Sequence, residues 1–329
     1  MSVTSNRNAS IDLFRLLAAL MVFVNHSAYS GQAPALALIG RWTVPFFFMV
    51  SGYYFQQAYT KLSISAFAKT VKSVLTIYVL ANSFYLLFVG VTDGSIKSLT
   101  THFTLVVGTY FHLWFLTSLL LGYGVLWLFL VCNNEKYIPH LTGQVILLIL
   151  FLNPYSSLIG LPAHPVYARS LLSIPFLCIG FMIAKYTLEI NVSLRMACQM
   201  VAVGIGIQLV EAWLLTKSWQ DTLNFNFVLG TLLFSVGMFF VALQSRIPEN
   251  NVLSHYGRRY SMAFYLYHPA VNYLLSKAWS KPGTISYWLN PFLSLLILFC
   301  LFLFLDRISP RCFRLLTGNF RRYALVEKV

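Results

Sequence analysis

The chain has 329 residues, of which 58% are hydrophobic and only 10% charged, with a mean hydropathy of +0.71. That balance excludes a soluble globular domain and a disordered chain, and it identifies an integral membrane protein with several spans. The formal net charge of +14 does not indicate nucleic-acid binding, because the cations are distributed by membrane side rather than gathered on one soluble surface.

A spanning helix needs about 20 mostly apolar residues. Ten segments meet that description, at 11–30, 36–58, 70–91, 112–132, 141–160, 168–186, 194–216, 225–244, 260–278 and 285–306. The expectation is an all-α protein of about ten transmembrane helices in one domain, 1–329, with loops too short to hold a soluble domain. A signal-peptide reading of the first segment, with Ala28-Tyr29-Ser30 as the cleavage triplet, is disfavoured because cleavage would discard Arg15 and His26.

The first segment carries the most informative pair. Arg15 and His26 are eleven residues apart in the sequence, a turn of about 1100° and a rise of about 16 Å. They share a helix face at different depths, and Asp12 lies near the same stripe. Ionisable groups so placed face a cavity or a partner. The structural alternative is an Asp12–Arg15 ion pair at i and i+3, with His26 making an interhelical hydrogen bond.

The second segment contains Val44-Pro45-Phe46-Phe47-Phe48-Met49-Val50-Ser51-Gly52-Tyr53. Its aromatics suit packing or lipid contact, and Ser51-Gly52 suits a close helix crossing. Lys69 and Lys72 precede the third segment. The fourth opens on His112-Leu113-Trp114-Phe115, where Trp114 fits an interfacial belt and His112 is less expected. The ninth holds Ser261 to Pro269, which buries His268 beside a proline. Pro45, Asn153-Pro154, Pro162, Pro165, Pro175 and His268-Pro269 mark expected irregularities, whose freed carbonyls need partners.

The distribution of cations sets the topology. A cytoplasmic N-terminus puts Arg7, Lys61, Lys69, Lys72, Lys136, Lys185, Arg195, Arg246, Arg258, Arg259 and the basic tail from Arg307 to Lys328 on the inner side. Only Lys97, Lys217, Lys277 and Lys281 fall outside, while Arg15, Arg41 and Arg169 lie within segments. Both termini are therefore expected in the cytoplasm, with the tail held against anionic lipids. Cys132, Cys178, Cys198, Cys300 and Cys312 show no metal-type spacing and read as reduced packing residues.

Taken in order, these clusters resemble the acyltransferase-3 family of membrane O-acyltransferases across essentially the whole chain. The resemblance rests on Arg15-x10-His26, on Phe47, Phe48, Ser51, Gly52 and Tyr53, on His112, Trp114 and Phe115, and on Tyr265, Leu266, His268 and Pro269. It is greatest to the stand-alone members. The resemblance implies transfer of an acetyl group from cytoplasmic acetyl-CoA to a sugar hydroxyl of a bacterial surface glycan or its lipid-linked precursor, in the bacterial cytoplasmic (inner) membrane. No metal is expected. His26 and Arg15 are the implied catalytic residues, with His26 acting as a base or as an acetyl carrier. Asp12, Asn25, Ser51, Gly52, His112, Trp114 and His268 are the implied supporting or substrate-binding residues. Lys69 and Lys72 stand where many members have an Arg-x-x-Arg pair, as candidate contacts to coenzyme A phosphates; lysine keeps the charge but loses the bidentate fork. The alternative reading is a polytopic transporter or flippase for a glycan or a small polar solute.

Overall fold

The computed structural model describes residues 8–26, 34–93, 104, 107–187, 189–215, 227–279 and 284–317. Arg7, Ala28-Tyr29-Ser30, Lys97, Lys217, Lys281 and the tail beyond residue 317 lie outside the described residues. Regular structure among the described residues is helical. We number the α-helices α1 (Ala9–His26), α2 (Pro34–Gly40), α3 (Thr43–Leu62), α4 (Ile64–Asp93), α5 (Trp114–Val131), α6 (Ile138–Leu152), α7 (Pro165–Leu171), α8 (Ser173–Lys185), α9 (Leu194–Leu215), α10 (Leu229–Gln244), α11 (Val252–Ala278), α12 (Thr284–Ile308) and α13 (Pro310–Thr317).

Six stretches among the described residues are long and apolar enough to cross a membrane: Ala9–His26, Ile64–Thr92, Trp114–Val131, Pro165–Lys185, Leu194–Leu215 and Leu289–Ile308. The other expected segments are helical but differ in length or polarity. The second is divided at Arg41-Trp42 into α2 and α3, α6 stops at the Asn153-Pro154 break, α10 is 16 residues long, and α11 is rich in Tyr, Ser, Arg and His. The expected prolines separate into two kinds. Pro45 and Pro175 sit in the first turns of α3 and α8, where a missing N–H interrupts no helical bond. Pro269 lies inside α11 and does interrupt one.

Small residues bring the central helices together. A Cβ added at Gly52 of α3 would come 2.0 Å from the backbone oxygen of Leu177 in α8, and one at Gly180 of α8 would come 2.0 Å from that of Met49 in α3. The reciprocal pair lets the two backbones touch. Gly257 does the same for α11 against α1, where an added Cβ would lie 1.9 Å from the Asp12 backbone oxygen. The start of α1 is fixed by the Asn8 side chain, which accepts from the Ser10 and Ile11 N–H groups at 2.9 and 3.3 Å. Ser10 in turn donates to the Ser245 carbonyl at 2.5 Å.

An acid inside α9 has a structural explanation. Glu211 accepts from the Leu229 and Gly230 N–H groups at 2.9 and 2.7 Å, at the start of α10, and also from the Tyr155 hydroxyl. The unpaired N–H groups and positive dipole end of a helix N-terminus offset the cost of its charge. Elsewhere, Asp306 of α12 accepts from Arg259 at 2.5 Å and from Tyr260 at 3.0 Å, both on α11. Of the five cysteines only Cys178 is buried; the other four are exposed on helices or helix ends, so the packing role read from the sequence holds for Cys178 alone.

Candidate active site

Two groups of the expected residues are brought together, one on each side of an aromatic wall. The first lines a cavity of about 870 Å³ that includes Arg15, Ser51, Lys69, Lys72, Ser261 and Tyr265. This lies within the ~300–1,000 Å³ range of small-molecule sites. Lys69 and Lys72 are exposed on α4 and mark its open end. Arg15 is directed toward the same side, because its guanidinium donates to Asp12 Oδ1 at 3.1 Å, one turn nearer the start of α1. The ion pair anticipated at i and i+3 is therefore present, with Asp12 almost fully buried beneath it. Ser51 donates to the Phe47 carbonyl at 2.8 Å and accepts, through its own carbonyl, from Tyr123. Gly52 belongs to the α3–α8 contact, and its functional reading is the close approach that holds Ser51 in place.

The wall at the inner end consists of Phe47, Phe115 and Tyr265. The Tyr265 ring lies 4.9 Å from Phe115 and 6.4 Å from Phe47 between centroids. Its hydroxyl donates to the His112 carbonyl at 2.8 Å. Beyond it the three histidines gather: the His268 ring is 5.3 Å from His26 and 5.7 Å from His112. His112 and His268 are fully buried, whereas His26, at the end of α1, keeps exposed surface and rests against Phe111 at 5.3 Å. His112, which the sequence puts at the start of the fourth segment, lies in the core, since Leu266 and Tyr265 of α11 hold both its side chain and its backbone.

Pro269 organises this cluster. Having no N–H, it leaves the Tyr265 carbonyl without its helical donor. His268 Nδ1 fills that vacancy at 2.9 Å and shares the contact with the Phe264 carbonyl at 3.1 Å. The next carbonyl, that of Leu266, accepts from His112 Nε2 at 2.9 Å and from the Tyr85 hydroxyl at 2.8 Å. A carbonyl can only accept, so the hydrogen sits on Nδ1 of His268 and on Nε2 of His112. The other nitrogen of each ring, His268 Nε2 and His112 Nδ1, is buried without a hydrogen-bond partner among the described residues. Two lone pairs are thus held in the interior, ready to accept from a hydroxyl or a water.

Trp114 and Asn25 complete the expected set. Trp114 is half-buried and one face of its ring is covered by the Arg169 guanidinium at 5.3 Å. Asn25 packs its amide on Gly40, where an added Cβ would come 2.2 Å from Asn25 Oδ1, so it braces α1 against α2. Sequence reading gave no role to Arg169, Tyr265 or Ser261. Arg169 carried a detectable signal, a cation inside an apolar segment. Among the described residues no group of histidines, cysteines and acids is arranged to hold a metal ion.

A cationic entrance leading to a cavity of mixed polar and apolar lining suits an elongated ligand with an anionic end, and the histidines supply groups that can exchange protons with a hydroxyl. A family model described as an acyltransferase domain matches residues 8–305. Among curated proteins, the serine/alanine racemase of Enterococcus gallinarum is 27% identical over 298 residues, covering 80% of this chain. The chain spans only 40% of that relative's length. No solved structure matches the chain.

Proposed function

The chain belongs to the acyltransferase-3 family, and from that premise we propose that it is an O-acetyltransferase of the bacterial cytoplasmic membrane. It moves an acetyl group from cytoplasmic acetyl-CoA to a sugar hydroxyl of a surface glycan or its lipid-linked precursor, as the enterobacterial common antigen O-acetyltransferase does for its own glycan. The observation that carries this reading is the division of the site. Arg15, Lys69 and Lys72 surround one cavity, and His26, His112 and His268 gather behind the Tyr265 wall at its inner end.

In this reading Lys69 and Lys72 attract the coenzyme A phosphates, and Arg15, oriented by Asp12, holds the donor deeper in the cavity. His26 takes the proton of the acceptor hydroxyl. His268 and His112 accept hydrogen bonds from neighbouring hydroxyls, and the Trp114 indole stacks on the sugar. The donor thus enters from the cytoplasmic side and the acceptor from the other.

Neutralising both lysines, Lys69→Gln with Lys72→Gln, is expected to raise the KM for acetyl-CoA several-fold while leaving that for the glycan unchanged, and to weaken the salt dependence of donor binding. Initial-rate titrations on purified protein check this. An unchanged donor KM would leave the lysines with only a topological role. Reporter fusions after Lys136 and after Glu249 are expected to report cytoplasm, and one near His164 the opposite side; a reversed pattern would contradict donor entry at the lysine end. A transporter or flippase would bind its cargo in the same cavity but leave its mass unchanged. Mass spectrometry of surface glycan from deletion and complemented strains separates the two.

A further inference from the structure

The proposed acetyl transfer calls for a hydrogen-bond donor or positive charge where the thioester oxygen becomes an oxyanion, and Arg15 is poorly placed to supply it. Arg15 and His26 are separated along α1 by about 16 Å. The Arg15 side chain also turns away from His26, toward Asp12. A tetrahedral carbon places its oxygens within about 3 Å of both the base and the stabilising donor, so one guanidinium held at the donor end cannot readily serve a reaction at His26.

Arg169 is on the other side of the wall. Its helix, α7, begins at Pro165, whose fixed φ suits a first helical turn. Ser118 of α5 donates to the Ser170 carbonyl at 2.8 Å and so ties α7 beside α5. That attachment lays the Arg169 guanidinium over Trp114 at 5.3 Å, two residues along the chain from His112, whose ring is 5.7 Å from that of His268 and whose carbonyl accepts from Tyr265, so its charge lies on the histidine side of the wall. It is half-buried, where surrounding protein strengthens its field. By contrast Arg41, the remaining arginine inside an expected span, lies within range of the Glu211 carboxylate.

We propose that Arg169 is a catalytic residue that stabilises the oxyanion of acetyl transfer, while Arg15 serves donor binding; this rests on the acetyl-transfer reading above. The acceptor hydroxyl gives its proton to His26 as its oxygen bonds to the acetyl carbon. The carbonyl π pair moves onto oxygen, facing the Arg169 guanidinium. Collapse reforms the C=O bond and breaks the C–S bond, and the coenzyme A thiolate leaves with the proton returned by His26. Trp114 holds the guanidinium plane and limits its rotation.

The test uses full-length protein in liposomes with acetyl-CoA and a lipid-linked glycan acceptor. Arg169→Ala is expected to lower kcat by about 10²- to 10³-fold, with the KM for acetyl-CoA changed by less than about twofold. Added guanidinium ion should restore part of kcat in Arg169→Ala and none in Arg15→Ala. Arg169→Lys, which keeps the stem and the charge, should accumulate like the parent and still lose most of its kcat, because a point charge does not reproduce the planar fork; it answers the question if Arg169→Ala does not fold. A parent-like kcat in either folded variant, or a loss confined to KM, would overturn the assignment of Arg169 and leave the acetyl-transfer reading intact. If the parent protein itself transfers no acetyl group, the reading and this inference fall together.

Discussion

His26→Ala is expected to reduce acetyl transfer by about 10²- to 10⁴-fold, the range associated with loss of a positioned acid or base, while the protein accumulates normally in the membrane. The separation of activity from stability follows from where the residue sits. His26 is the last residue of α1 and keeps exposed surface, so its truncation opens no void in the packed interior. His268 would be a poorer choice, since its Nδ1 satisfies carbonyls around the Pro269 break and its removal would disturb α11 itself. Glycan acetylation measured beside membrane protein level decides the matter. Parent-like acetylation by His26→Ala would remove the base from its assigned place.

The second large effect is structural. Gly52→Val is expected to destabilise the fold by about 3 kcal/mol or more, with loss of most folded protein. The added Cβ would stand 2.0 Å from the Leu177 carbonyl oxygen and 3.0 Å from the Phe181 nitrogen. Both are helix backbone atoms, so no side-chain rotation relieves the clash, and α3 would have to move away from α8. Ser51, one residue before, would leave the cavity with it. Gly124→Ala is the matched control, because an added Cβ there meets nothing within 4 Å. Thermal unfolding of detergent-purified variants should separate the two glycines widely, and equal stability would show that the crossing tolerates a side chain.

These two residues illustrate how much was legible in the sequence. The Arg15–His26 spacing gave a shared face and a depth difference on one helix; the structure makes that helix continuous from Ala9 to His26 and turns Arg15 toward Asp12. Lys69, Lys72 and Ser51 were recognised separately; that they line one cavity with Arg15 depends on how α1, α3, α4 and α11 pack, which periodicity cannot reveal in helices that are apolar on most faces. Gly52 was open to two readings because close crossing and ligand approach both demand a residue without a side chain.

Other features were hidden by distance along the chain. Glu211 looks like an isolated acid in an apolar run, and its partners Tyr155, Leu229 and Gly230 belong to other segments. Arg169 lies in a proline-flanked stretch with no recurring spacing, and only the packing of α7 beside α5 brings it over Trp114. The His-Pro pair was recognisable as an irregularity. Its consequence, two histidines held in defined tautomers by successive carbonyls of one broken helix, requires the fold. Composition understates α11 for a related reason: its polar residues keep it out of the stretches apolar enough to count as spans, although it is 27 residues long and buries Ala263 to Ala270.

The most direct measurement of the central claim is the mass of a defined lipid-linked glycan after incubation with the purified protein in sealed liposomes, with acetyl-CoA supplied only on the side carrying Lys69 and Lys72. The account predicts that the glycan gains the mass of an acetyl group, that free coenzyme A appears in equal amount, and that His26→Ala yields neither. A glycan that crosses the membrane or binds the protein with its mass unchanged, while acetyl-CoA is not consumed, would contradict it.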